Sequence, residues 1–247
     1  MNDETFIPPV IWALIDERPG TGNQTLAVAK SLGLPFEEKK LHWTHFAELP
    51  NLLIGASLRG LSESSKSEIK SPWPDLIIAA GRRSGSVARY IKKQSLDDCC
   101  LAQIMNPGDS MIRDFDLVAV PNHDGVLNDN PNIIRTTGAP HGIENGSLSE
   151  ARVRWHAKFA DFKAPLIGLV LGGATKRRPF TAEMAQQLGR QSGDLIKQLG
   201  GSLLVTSSPR TGNTLDAVLS GLADANVEPE FVYRWSPSDP ESKNPYL

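Results

Sequence analysis

The chain has 247 residues, of which 40% are hydrophobic and 22% are charged, and its formal net charge is −2 at pH 7. These values are typical of a globular protein with a sizeable core. The net charge argues against a general nucleic-acid-binding protein, which usually has an excess of basic residues. The only cysteines, Cys99 and Cys100, are adjacent in sequence, so they cannot cross-link distant segments or form a zinc-ligand spacing. We therefore expect a cytoplasmic, reducing setting and no metal site.

Short apolar runs alternate with helical patterns along the whole chain, which predicts an α/β fold with mainly parallel sheets. The predicted strands are residues 10–15, 36–42, 76–80, 101–105, 116–120, 132–135, 166–171, 202–206 and 230–235. The predicted helices include residues 23–32, a segment that starts at Ser84, a connector at 152–162, and residues 181–199 and 214–223.

This order predicts two Rossmann-like domains, residues 1–163 and 164–247, that face each other across a cleft. The second domain has three predicted strands where the first has about six, a normal number for a sheet. We expect a truncated second domain, in preference to one that is unusually small.

The most informative segment is Gly81-Arg82-Arg83, which directly follows an apolar strand. Free N–H groups at a helix start favour an anion, and guanidinium groups match phosphate or carboxylate. Gly81 allows a tight turn and a close approach of a ligand. Two cations at a helix start also oppose the helix dipole, and a bound anion would relieve that conflict. The alternative is a pair of solvated charges.

The first strand is followed by Asp16, Arg18 and Gln24, with Gly20 and Gly22 between them. In doubly wound sheets, ligands lie outside the carboxyl ends of the strands, which makes these three residues candidates for a site. The glycine spacing is not that of a dinucleotide-binding turn. In the alternative interpretation, Asp16 only shapes the turn.

His123 and Asp124 follow another predicted strand. Imidazole titrates near neutral pH, so this pair is a candidate general acid or base. The alternative is a turn with a surface histidine.

The second half has corresponding candidates at its strand ends. Gly172 and Gly173 begin a loop that resembles a phosphate-binding turn, although its spacing is not that of a P-loop. Ser208, Arg210 and Thr211 provide two hydroxyl groups and a guanidinium at the next strand end. The chain has no Gly-x-Ser-x-Gly elbow, which argues against an α/β-hydrolase.

Several of these segments together resemble the mitochondrial fission ELM-type family. The segments are Trp12-x-Leu14-x-Asp16-x-Arg18-x-Gly20-x3-Gln24, Pro74-Asp75-Leu-Ile-Ile-Ala-Ala-Gly-Arg-Arg83, Phe115-Asp-Leu-Val118 with Pro121-x-His-Asp124, Leu171-Gly-Gly173, and Ser208-x-Arg210-Thr211. The resemblance covers essentially the whole chain. It implies a GT-B-like fold, similar to that of nucleotide-sugar glycosyltransferases and sugar-nucleotide epimerases, and a role in mitochondrial division for plant members.

Two departures from the family pattern bear on these implications. The family usually has a second arginine where this chain has Pro209. The family also continues past Asn244-Pro-Tyr246 into a region that, in two-Rossmann transferases, holds the donor nucleotide. The resemblance therefore implies that much of a donor site would be absent from residues 1–247.

The resemblance leaves two functions open. In the first, the protein is a metal-independent glycosyltransferase or related enzyme, without a cofactor. Its ligand would be a nucleotide sugar or an acidic sugar acceptor, with the arginines on the anionic group and His123 or Asp16 accepting a proton. In the second, the protein is a non-catalytic scaffold that acts through protein contacts at a membrane or division site. The oligomeric state is left open.

Overall fold

The computed structural model describes residues 7–124, 130–172, 179–240 and 244–245. It divides into two compact units, Met1–Gly142 and Ile143–Leu247. Each unit contains its own parallel β-sheet, which confirms the predicted α/β class. The division lies earlier in the chain than residue 163, because the helix expected as a connector belongs to the second unit.

The sheet of the first unit has six parallel strands within the described residues, in the order β2-β1-β3-β4-β5-β6. They are β1 (Ile11–Asp16), β2 (Glu37–Leu41), β3 (Leu76–Ala80), β4 (Cys100–Ile104), β5 (Leu117–Pro121) and β6 (Ile133–Thr136). The chain runs from β1 outward to β2 and then crosses back to β3 on the other side of β1. The order of the strands thus reverses between β1 and β3, and this reversal is the switch point of the sheet.

The helices of the first unit are α1 (Pro19–Ser31), α2 (Asn51–Ile54), α3 (Glu63–Glu68) and α4 (Gly81–Gln94), with 3₁₀ turns at His45–Glu48 and Asp109–Asp114. Helix α1 starts earlier than expected, because residues 16–22 are not one loop. Pro19 occupies its first position, where the fixed φ of proline suits a helix and the missing N–H costs nothing. The N–H groups of Thr21 and Gly22 donate to the carbonyl of Arg18.

The central strands of this sheet are covered on both faces. Leu14 and Ile77 pack into a cluster on one face, while Ala13 and Ile78 pack into a second cluster on the other. Parallel strands covered in this way are continuous apolar runs, which is why the sequence located them. Strand β2 lies at the edge of the sheet and is mostly exposed, which is consistent with its run of charged residues.

The sheet of the second unit has the strand order β7-β8-β9 in the part of the chain that the structure covers. Its elements are α5 (Asn145–Phe159), β7 (Leu166–Val170), α6 (Ala182–Leu199), β8 (Ser202–Thr206), α7 (Thr214–Asp224) and β9 (Phe231–Tyr233). Trp155 and Phe159 of α5 stack on each other and contact Phe231 edge-on. None of the helices in the described segments is long and apolar enough to cross a membrane.

Helices α6 and α7 cross at very short range because glycines lie at the contact. A Cβ atom on Gly189 would overlap the carbonyl oxygen of Val218, and one on Gly221 would overlap that of Gln186. The two backbones therefore touch directly, and the contact has no room for a methyl group on either helix.

We expect Gly189→Ala to lower the free energy of unfolding by about 1–3 kcal/mol, because the added methyl forces the two helices apart. The measurement is chemical denaturation followed by circular dichroism. Gly146→Ala is the matched control, because Gly146 also lies in a helix and has open space around its Cα. Equal stabilities of the two variants would contradict the close packing.

The adjacent cysteines should differ sharply in reactivity. Cys99 is buried, and burial raises the pKa of its thiol to about 12, whereas Cys100 is exposed. Because only the thiolate reacts, we expect a disulfide reagent to modify Cys100 rapidly in the native protein and Cys99 only after unfolding. Counting the released chromophore before and after denaturant checks this, with Cys100→Ser as control. Equal rates at both thiols would contradict it.

Candidate functional site

A cleft of about 320 Å³ lies at the switch point of the first sheet, outside the carboxyl ends of β1 and β3. It is lined by Asp16, Arg18, Thr21, Glu48, Ala80, Gly81, Arg82 and Arg83. The topology explains why these residues meet. Parallel pairing of β1 with β3 brings the two strand ends together, and α1 and α4 both start there.

Gly81 makes the turn from β3 into α4 with φ of +75°. A Cβ atom at this position would lie 3.1 Å from Cγ2 of Thr21. The carbonyl of Gly81 also accepts a hydrogen bond from Nε2 of the buried Gln103, at 2.9 Å. Gly81 therefore supplies the tight turn that the sequence predicted, in a left-handed conformation, and the helix begins there rather than at Ser84. The expected close approach of a ligand stays a prediction.

Arg83 already has an anionic partner inside the protein. Its Nε donates to Oδ2 of Asp16 at 3.2 Å, and a terminal nitrogen donates to Oδ1 at 2.6 Å. The exposed fractions of the two side chains are only 10% and 4%, and the guanidinium also lies over the ring of Trp43. Asp16 thus offsets the unfavourable interaction between Arg83 and the helix dipole. The sequence analysis had expected a bound anion to do so.

The contacts of Asp16 favour a positioning role over the proton transfer suggested by the sequence. Both of its oxygens accept hydrogen bonds from Arg83, and Oδ1 also accepts the backbone N–H of Arg18 at 2.8 Å. A carboxylate held in this way joins the start of α1 to the start of α4.

The acceptors that Arg82 has among the described residues are all neutral. Its terminal nitrogens donate to the carbonyls of Leu49 and Ala47, at 2.7 and 3.1 Å, and to Oδ1 of Asn51 at 3.2 Å. A guanidinium has five N–H groups, so two remain for a ligand. Because carbonyl and amide oxygens do not cancel its charge, Arg82 remains a source of positive potential in the cleft.

Arg18 is the most available cation of the cleft. It is exposed, and no described residue accepts a hydrogen bond from its guanidinium. Arg83 and Asp16 offset each other's charge, which leaves Arg18 and Arg82 against the carboxylate of Glu48. Neither α1 nor α4 has an acidic residue in its first turn, so the positive ends of both helices add to this potential. The cleft therefore suits an anion.

Two other cleft residues, Thr21 and Glu48, were missed by sequence reasoning. Thr21 belongs to the first turn of α1, and reading Pro19 as a helix start would have found it. Glu48 lies on a short 3₁₀ turn with no motif. Conversely, Nε2 of Gln24 donates to the carbonyl of Gly20 at 2.6 Å and lies 3.7 Å from the sulfur of Met105, so this nitrogen is held by α1 and by the residue that follows β4.

His123 and Asp124 lie just past β5, two strands from β3 and about 10 Å to the side of the switch point. Nε2 of His123 is 3.9 Å from Oδ1 of Asp124, and the histidine is exposed. Like the cleft, the pair lies at the carboxyl ends of the strands, but it does not line the cleft. Its proposed acid–base role stays a prediction.

The second unit brings its own candidates together at the ends of β7 and β8. Thr211 donates to the carbonyl of Leu171 at 2.9 Å and accepts the N–H of Ser208 at 2.8 Å, which closes the loop onto β7. Gly172 leaves room for Ser208, because a Cβ atom there would lie 2.7 Å from its Oγ. Arg210 is exposed, and Gly173 lies outside the described residues.

No cluster of three or more His, Cys, Asp or Glu side chains with metal-binding geometry occurs in the described part of the chain. The main features of the cleft are therefore its arginine side chains and the N-termini of α1 and α4. The fold is that of an α/β protein with a cleft at the switch point of its first sheet, and the charges that line this cleft make it a candidate site for an anion.

The family model for mitochondrial fission ELM1 matches residues 19–247. The chain belongs to this family, as the motifs in its sequence predicted. It is 26% identical, over 218 residues, to mitochondrial fission protein ELM1 of Arabidopsis thaliana, a match that covers 79% of the chain and 49% of the plant protein. The chain thus spans about half the length of this relative.

An uncharacterized protein of Rickettsia prowazekii is 25% identical over 267 residues, which cover 96% of the chain and 73% of that protein. Two solved structures are also similar. One is the UDP-N-acetylglucosamine 2-epimerase of Rickettsia bellii, with 12% identity, a TM-score of 0.42, and coverage of 94% of this chain and 71% of that one. The other is Acinetobacter baumannii MurG, with 17% identity, a TM-score of 0.45, and coverage of 93% and 68%.

We expect Asp16→Asn to lower the free energy of unfolding by about 3 kcal/mol, because it removes the buried carboxylate that is hydrogen-bonded to Arg83 and leaves the more exposed Glu17, at 4.0 Å, as the anionic neighbour of this guanidinium. Urea denaturation measures this. The control is Glu63→Gln, which removes the exposed ion pair with Lys66 in the same unit and should cost less than about 1 kcal/mol. A loss at Asp16 no larger than at Glu63 would contradict the structural role of the pair.

Proposed function

We propose that this protein is an enzyme that acts on a nucleotide sugar, by glycosyl transfer or a related reaction, and that the cleft of the first unit binds an anionic group of its substrate. The observation that carries the proposal is the arrangement of Arg18, Arg82 and two helix N-termini around one switch-point cleft. Helix N-termini and guanidinium groups are the elements that proteins use to bind phosphate and carboxylate.

The roles of the residues follow from their contacts. Arg18 would bind the anion directly, and Arg82 would do so with its two remaining N–H groups. Asp16 and Arg83 would hold α1 and α4 in place around it. These cations would stabilise negative charge on a phosphate or carboxylate without a metal ion or a cofactor.

In glycosyl transfer, an acceptor hydroxyl would attack the anomeric carbon while the bond to the nucleoside diphosphate breaks. The hydroxyl proton would pass to a base, for which His123 is the candidate in the first unit. The size of the cleft suits a phosphate or a sugar acid rather than a whole nucleotide sugar, which favours the acceptor side. The donor would then be held by Gly172, Gly173, Ser208 and Arg210 of the second unit. The free thiols are compatible with a cytoplasmic enzyme.

We expect nucleoside diphosphates, nucleotide sugars or sugar acids at millimolar concentration to raise the melting temperature of the protein by about 5 °C, because a ligand that binds only the native state stabilises it. Arg18→Ala should weaken binding by about tenfold or more, since a hydrogen bond to a charged group is lost. Differential scanning fluorimetry and isothermal titration calorimetry make the two measurements.

The matched control is Arg113→Ala, because Arg113 is also exposed but lies before β5, near the amino ends of the strands and away from the cleft. It should leave binding unchanged. The proposal fails if none of these ligands shifts the melting temperature, or if both variants bind as the parent does.

The second candidate is a non-catalytic scaffold that works through protein contacts at a membrane or division site. Membership of the mitochondrial fission ELM1 family favours it. A cellular role that survives Arg18→Ala, together with no ligand-induced shift, would support the scaffold over the enzyme.

A further inference from the structure

The segment from His45 to Ile54 turns an unusual number of apolar side chains toward solvent. Phe46, Leu49, Leu52 and Leu53 are all exposed, and Leu52 retains 93% of its accessible surface. We refer to these four residues as the 46–53 patch. Single exposed apolar residues are common, but several on one short segment indicate a binding surface.

The backbone beneath the 46–53 patch is firmly held, so the exposure is a feature of the fold. Ala47 and Ile54 from the same segment are buried and anchor it to the unit. Arg82 donates to the carbonyls of Ala47 and Leu49, and Asn51 bonds both Arg82 and the carbonyl of Pro107. The apolar side chains thus project from an ordered support.

Arg82 also connects the 46–53 patch to the cleft. Its guanidinium lines the cleft and holds the carbonyl of Leu49 at 2.7 Å, and Glu48, between Phe46 and Leu49, lines the cleft as well. An exposed apolar surface therefore adjoins a site whose cations and helix N-termini suit an anion. A molecule that fits both has an anionic head and a hydrocarbon tail.

We propose that the ligand of this site is an anionic lipid presented by a membrane surface. The 46–53 patch rests in the interfacial layer of the bilayer, and the lipid head group reaches Arg18 and Arg82 in the cleft. This inference rests on the proposed function, because the head group occupies the same cleft, and it assigns the acceptor-side ligand to the class of lipids. Such contact needs only a few apolar side chains at the interface together with electrostatic attraction.

The experiment is co-sedimentation of the protein with vesicles of equal parts phosphatidylcholine and phosphatidylglycerol, compared with vesicles of phosphatidylcholine alone. We expect clear binding to the anionic vesicles and much weaker binding to the neutral ones. The double variant Leu52→Ser/Leu53→Ser should lower the partition coefficient by about tenfold or more, because it removes two apolar contacts with the interface. Arg18→Ala should lower the preference for anionic lipid by about tenfold, because it removes one of the two cations that the head group reaches.

The matched control is Leu148→Ser/Val153→Ser, which removes two apolar residues of comparable exposure from α5 in the second unit. It should partition as the parent does. Circular dichroism and the melting temperature verify that each variant is folded. Because Leu52 and Leu53 are exposed, their replacement should leave stability within about 0.5 kcal/mol.

The inference is overturned if the parent and the Leu52→Ser/Leu53→Ser variant partition equally, or if neutral and anionic vesicles bind alike. It is also overturned if the parent does not bind vesicles but self-associates through the 46–53 patch, seen as a dimer that the double variant lacks. A soluble nucleotide or sugar acid that still raises the melting temperature would then leave the proposed function intact. Vesicle binding that persists in Arg18→Ala, with no response to soluble anions, would instead remove the cleft from both proposals.

Discussion

The ion pair between Asp16 and Arg83 is the contact on which the candidate site depends. It joins the end of β1 to the first turn of α4, and through the backbone N–H of Arg18 it also fixes the start of α1. Because both side chains are almost fully buried, the removal of either one would leave the other as a buried charge without its hydrogen-bonded partner. The cleft is therefore a consequence of one internal pairing at the point where the strand order reverses.

This pairing divides the cations of the cleft by role. Arg83 is offset by Asp16, and Arg82 is bonded to neutral oxygens, so it keeps its charge. Arg18 faces solvent without an acceptor among the described residues. The three arginines all follow strand ends in the sequence, but their roles differ. Arg83 is the counter-ion of Asp16, Arg82 supports the neighbouring segment, and Arg18 is available to a ligand. Only their partners distinguish them.

The sequence predicted the strands well because buried parallel strands are continuous apolar runs, and Gly81 was correctly assigned to a tight turn. It predicted the start of α1 poorly, because Pro19-Gly20 is equally typical of a loop and of a helix start. It could not reveal that Arg83 is already paired, because Asp16 is 67 residues away and the contact depends on strand order. Nor did any motif mark Glu48 or the 46–53 patch, which reach the cleft through tertiary bonds to Arg82.

The sequence separation of Asp16 and Arg83 also bears on the order of folding. Helices and short turns form from local contacts, whereas this pair requires that the chain first leave β1, complete β2 and return to the other side of β1. Contacts of such long range form slowly, because a long loop must close before they stabilise anything. A nascent or partly folded chain in which β1 and β3 have not yet paired would lack the cleft, so the Asp16–Arg83 contact marks the stage at which the centre of the first sheet is complete.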